Sequence, residues 1–128
     1  KKSKTMTILK LQSDIKKLKR KLNSRRYRVY SAIISQTGTA APTAVELENE
    51  IGSIVWTRNN VGIYFATLSA AFPENKTFII TNNRTQSGNY LVSFRNSDNQ
   101  VNVVQVGADG TTPADVLSDI PIEIRVYP

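Results

Sequence analysis

The chain has no cysteine and no histidine. The first absence excludes disulfides and thiolate metal sites. The second removes the commonest general base and the commonest metal ligand together. Long apolar runs are also missing, so the sequence holds neither a helical membrane span nor the core of a signal peptide. Acidic residues are nearly absent from one end. Residues 1–28 carry twelve Lys or Arg against a single acid, Asp14, a balance of +11, whereas residues 29–128 carry five basic residues against nine acids, a balance of −4. Such a division marks a separate element with its own role. The 128 residues suit one compact domain with a short appendage, and a start at Lys1 rather than Met fits a piece of a longer protein.

What the basic end does contain is periodicity. After the polar residues 1–6, which are expected to fray, Ile8, Leu11, Ile15, Leu18 and Leu22 follow at gaps of 3, 4, 3 and 4. This is a heptad seam, with Ile8, Ile15 and Leu22 at position a and Leu11 and Leu18 at d. It predicts a coiled-coil helix of roughly 16 residues from Thr7, about 25 Å long, leaving at Asn23-Ser24. Lys10, Lys16, Lys17, Lys19, Arg20 and Lys21 surround the helix everywhere except along the seam. A DNA-binding zipper separates its basic region from its seam, and here the two share the same turns. Self-association is therefore favoured over a grip on nucleic acid. A third reading packs the helix on its own β domain. In a parallel coil Asp14 at g faces Lys19 at e of the next heptad, an exposed interchain ion pair worth under about 1 kcal/mol. Two heptads are too short to associate alone, so the remaining domain must contribute.

Beyond Asn23 the period changes to two. "RYRVYSAIIS", "AVELEN", "SIVWT", "GIYFATLS", "KTFIIT", "YLVSFR", "QVNVVQV" and "IPIEIRVY" read as about eight short strands. "RNNV" and "NSDN" read as hairpin connections. "GADGTTPADVLSD" is the longest loop, with one helical turn expected at Pro113–Leu117. The result is a mainly β chain: a basic coiled-coil helix over 1–25, serving as stalk or anchor, then an antiparallel, jelly-roll-like β-sandwich knob over 26–128.

No residues announce a reaction. Glu46, Glu48 and Glu50 recur at every second position and read as one solvated strand face. Asp109, Asp115 and Asp119 do not follow the spacing of a calcium loop. Asn75-Lys76-Thr77 and Asn83-Arg84-Thr85 match the glycosylation pattern, which matters only in a secretory pathway. Trp56 alternates with Ile54 and is expected in the core, and of Tyr64 and Phe65 one is expected to be exposed. The residues suggest no catalytic, cofactor or metal site, and no enzyme.

The stretch "YRVYSAIISQTGTAAPTAVELENEIGSIVWTRNNVGIYFATLSAAF", then "NKTFIIT" and the ending "IPIEIRVYP", resembles small β domains of structural proteins from bacteriophages and prophages. The likeness spans residues 27–128 and omits the helix. It implies a virion component, a fibre or appendage, built as a homotrimer whose coiled-coil stalk leads into a β knob. Its partners would be copies of itself, other virion proteins and a host surface receptor. The seam alone, with Ile at a and Leu at d, favours a dimer, and Leu22 at a weakens that preference. The alternatives are a nucleic-acid-binding module using the basic helix and a carbohydrate-binding module.

Substitution at the seam's centre distinguishes zip from grip. Ile15→Asp places an unpaired charge in every copy of one layer, at several kcal/mol. Helical circular dichroism should fall while the β signal stays. The triple Lys16→Gln, Lys17→Gln and Arg20→Gln should keep helicity. Full helicity in Ile15→Asp, or salt-sensitive DNA binding abolished by the Gln triple, would point to the other reading.

Overall fold

The computed structural model describes residues 2–23, 26–85 and 88–128, with helix side chains described from Thr7 to Lys21. Helix α1 runs Lys2–Asn23, so residues 2–6 continue the helix instead of fraying, and at 1.5 Å per residue it is about 33 Å long. Lys4, Lys10 and the later Lys and Arg residues are good helix formers, and neither Gly nor Pro interrupts them. Arg20 and Lys21 lie in the last turn, where their charge suits the helix dipole. Ser24 and Arg25, where the helix exit and the domain boundary are expected, lie outside the described residues.

Eight strands follow: β1 Arg28–Ser35, β2 Thr43–Asn49, β3 Val55–Asn60, β4 Ile63–Thr67, β5 Thr77–Thr81, β6 Tyr90–Ser97, β7 Gln100–Val106 and β8 Ile120–Val126. They form two antiparallel four-stranded sheets, sheet A in the order β2-β1-β8-β5 and sheet B in the order β3-β4-β7-β6. Three pairs are sequence-local: β1–β2, β3–β4 and β6–β7. The central pairs, β1–β8 and β4–β7, are not.

The period-2 alternation sets the core. Tyr30, Ala32 and Ile34 of β1 and Ile122, Ile124 and Val126 of β8 point inward from sheet A. Trp56, Tyr64, Ala66, Leu91, Val101 and Val103 meet them from sheet B, and Phe72 fills one end from the β4–β5 connection. Trp56 is thus in the core, where its Nε1–H donates to the Tyr30 hydroxyl at 3.1 Å and ties one sheet to the other. Of the adjacent aromatics, Tyr64 is buried and Phe65 on the opposite face is half-buried.

Three expectations are corrected. "RNNV" is not the connection: Arg58–Asn60 belong to β3, with a register shift there, and the turn is at Val61-Gly62. Backbone pairing with β4 outweighs the turn propensity of Asn59-Asn60. Pro113–Leu117 forms no helical turn. Pro113 bridges to Val106, and the Val116 N–H and C=O are held by the Gln105 side chain at 3.0 and 3.3 Å, so these groups have no use for a helix. Glu46 and Glu48 do not share one strand face: a register shift pairs Glu48 with Ser31 and Glu46 with Ala32, adjacent residues on opposite faces of β1, while Val45, Glu46, Leu47 and Glu48 are all exposed at the sheet edge.

Candidate self-association site

The helix seam stands in water. Its exposure runs from 45% for Ile15 to 61% for Leu11, with Ile8 and Leu18 between, and the side chain of Leu22 lies outside the described residues. Every described residue of α1 from Thr7 to Lys21 is exposed. The seam is therefore not packed on the chain's own sandwich, which sets aside the third reading of the sequence. Asp14 and Lys19 are likewise exposed on the flanks. One end of the molecule thus carries an apolar stripe with a basic surround and no intramolecular cover.

The outer face of sheet A mixes polar and apolar groups. Glu123 accepts from Ser31 Oγ at 3.0 Å and from Arg125 Nε at 2.7 Å. The Arg125 guanidinium lies 4.8 Å from the centre of the Tyr27 ring, and that ring lies 5.2 Å from Tyr127. Its bond to Glu123 raises the Arg125 pKa further above its ordinary value, against the opposing effect of burial. This group covers Val29. Beside it runs a cleft of about 380 Å³ lined by Ile33, Leu47, Ile80 and Pro121, with Glu123 at its polar side. Of the predicted acidic residues, Glu46 accepts from Asn49 Nδ2 at 2.9 Å and Glu50 from the Val29 N–H at 3.2 Å.

The outer face of sheet B differs. Strand register puts Val55 and Thr57 of β3, Ile63, Phe65 and Thr67 of β4, Gln100, Asn102, Val104 and Val106 of β7, and Tyr90, Val92 and Phe94 of β6 on one side. None is charged. Arg58 and Arg95, the charged residues of these strands, fall on the core-facing register, opposite Tyr64 and Val101.

Asp115 closes the open end between the sheets. Its Oδ2 accepts from Arg58 Nη2 at 2.7 Å and Nε at 3.1 Å. Its Oδ1 accepts from the Tyr64 hydroxyl at 2.6 Å and the Gly62 N–H at 2.9 Å. Gly62 is needed here: its φ is +69°, and a Cβ would come 2.3 Å from the Gln105 carbonyl oxygen. The Arg58 guanidinium holds the Asp115 carboxyl well below the ordinary carboxylate range, overcoming burial, and Gly62 and Tyr64 assist. Burial, then donation to Asp115, pushes the Tyr64 hydroxyl up. The cluster anchors the 107–119 loop to the β3–β4 hairpin. Four donated hydrogen bonds, from Arg58, Tyr64 and the Gly62 N–H, fill the Asp115 carboxylate.

Among the described residues, no three carboxylates gather as a metal site, and no helix is long and apolar enough to cross a membrane. Asp109 is turned inward on its own loop, accepting from the N–H groups of Thr111 and Thr112 at 3.0 and 2.9 Å and from the Thr112 hydroxyl, which lowers its pKa to about 2. No family model, no curated protein and no solved structure matches the chain.

Sequence reasoning missed two features. Asp115 was read only as a failed calcium ligand, and its partners Arg58, Gly62 and Tyr64 lie more than 50 positions away. The sheet B face did leave a signal. In "YLVSFR" and "QVNVVQV" apolar residues occupy both parities, the pattern of strands covered on both faces.

The Asp115 cluster predicts an acid-sensitive contribution to stability. A depressed folded-state pKa gives stabilisation that is complete above the ordinary value, 3.8, and lost as pH falls below it toward the folded value. Asp115→Asn should cost about 1–2 kcal/mol near neutral pH, given that its side chain is 16% exposed. In thermal melts the gap from wild type should narrow from about pH 4 toward pH 2. A gap that stays constant over that range would show that the carboxylate charge is not what holds the loop.

Proposed function

We propose that this chain is a structural component of a virus particle, a bacteriophage fibre or appendage, and not an enzyme. In this reading α1 is a short parallel coiled-coil stalk or anchor with Asp14 and Lys19 paired between chains. The sandwich is the jelly-roll-like knob of a homotrimer. The observation that carries the reading is the uncovered seam: Ile8, Leu11, Ile15 and Leu18 all face water on a helix whose other sides are charged. A stripe of that kind is stable only against another apolar surface, and its 3-4 spacing fits a copy of itself. Support also comes from the order helix-then-sandwich and from the resemblance of residues 27–128 to phage β domains. Attachment to other virion proteins or to a host surface would then be multivalent, several weak knob contacts acting through one stalk.

The +11 segment, exposed at every described residue of α1 from Thr7 to Lys21, favours one second reading, a module that binds nucleic acid through α1. The two readings differ in what salt does. Screening relieves Lys–Lys repulsion between helices of a trimer, whereas it weakens phosphate binding.

Light scattering on the full chain at low and high salt tests this directly. The expected mass is three times 14.3 kDa, undiminished at high salt. A mass of two chains would make the seam's own dimer preference the better guide. A single chain at every concentration, with salt-sensitive binding to DNA, would replace the proposal with the second reading.

A further inference from the structure

We infer that the outer face of sheet B is the surface through which the knobs of neighbouring copies of this chain pack, with Asn102 as its polar centre. The inference rests on the self-association reading above and adds the surface that the helix alone does not supply.

The face is apolar and unusually open. Val55 is 58% exposed and Val92 57%, and Phe94 and Tyr90 are exposed beside them. Four strands about 4.8 Å apart and about six residues deep make a face of roughly 19 by 20 Å, on the order of 400 Å². That is the size at which a monomer's largest apolar patch is commonly functional. A stable interface removes about 800 Å² per partner, so this face and the helix seam must act together.

Two observations identify the occupant as another copy. The first is charge. The sandwich portion, residues 26–128, has nine acids against seven bases, so two copies repel weakly unless they meet where no acid lies. Sheet A presents Glu48, Glu123 and Arg125 on its outer side. The strands of sheet B present no acid on their outer side; Arg58 is bonded to Asp115 and Arg95 to Asp98 and the Phe72 carbonyl, and the cation at this face is Arg84, which lies over the Tyr90 ring at 4.9 Å at one edge.

The second observation is Asn102. It sits between its cross-strand neighbours Phe65 and Phe94, on the side of β7 away from the buried Val101 and Val103. It is only 8% exposed, and its Oδ1 is a buried side-chain oxygen without a hydrogen-bond partner. Buried amides are normally satisfied. An amide carries both donors and an acceptor, so the same side chain on a symmetry-related copy can satisfy it once the flanking Phe65 or Phe94 side chain, which covers it in the single chain, moves aside. A single buried Asn of this kind fixes register and copy number in apolar seams elsewhere.

Four full-length variants test the inference: Val92→Glu and V92C on sheet B, and Val45→Glu and V45C as matched exposed positions on sheet A. The native chain has no cysteine, so each introduced thiol is the only one. Val92→Glu should raise the dissociation constant of the assembly about a hundredfold or more, since it desolvates a charge in each copy, whereas Val45→Glu should leave the mass unchanged. In the assembled protein the thiol of V92C should react with a maleimide at least about tenfold more slowly than that of V45C, and should catch up on dilution. This measurement decides the matter even if Val92→Glu fails to fold. Equal thiol reactivity at both positions in an assembled wild-type background would overturn this surface while leaving the trimer reading in place. A wild-type chain that never associates would overturn both.

Discussion

Pairing between β1 and β8 is the contact on which the rest of the sandwich depends. It joins residues as distant as Arg28 and Val126, 98 positions apart, and it does so over seven consecutive partners. The closure places Tyr30, Ala32 and Ile34 beside Ile122 and Ile124 on one inner surface, against which sheet B can bury Trp56, Tyr64 and Val103. It also fixes the far end of the 107–119 loop, so that Asp115 can reach Arg58, Tyr64 and Gly62. Such non-local pairing costs loop-closure entropy before any contact rewards it. The Trp56–Tyr30 bond and the Asp115 cluster are long-range contacts that offset that cost once the sheets meet.

Closing the core also decides what is left outside. Each sheet turns one register inward, and the other register is exposed whatever its chemistry. For sheet A the outer register carries Ser31, Glu123 and Arg125, which bond to one another, among the exposed apolar side chains of Val45, Phe78 and Ile80. For sheet B the outer register is Val55, Val92, Phe94 and Val104 around an unsatisfied Asn102. The helix repeats the theme with Ile8, Leu11, Ile15 and Leu18. An apolar surface on the helix and one on the sandwich are thus left uncovered by the fold of a single chain.

Much of this was legible in the sequence because it depends on local periodicity. The 3-4 spacing placed the helix, and the period-2 runs placed all eight strands and the inward set Ile122, Ile124 and Val126. Trp56 was legible as core from its parity with Ile54. Turn chemistry was less reliable. Asn59-Asn60 looks like a turn, yet tertiary pairing with β4 draws it into β3. The loop at 113–117 looked helical because its partner, the Gln105 amide, lies on another element. Asp115 and Asn102 were illegible for the same reason: their roles arise from neighbours that only the sheet registers bring close.

In the proposed assembly other copies of the chain cover the surfaces that its own fold leaves bare. A lone helix of 22 residues with this density of like charge is marginal in water, so its backbone reports directly on whether a partner is present. Hydrogen exchange of α1 and of β6–β7 amides, followed by mass spectrometry over a range of protein concentration, gives the most direct test. The account predicts that α1 is protected at high concentration and loses that protection on dilution, together with added protection in β6–β7. Helix amides that exchange freely at every concentration, or at a rate indifferent to it, would contradict the claim.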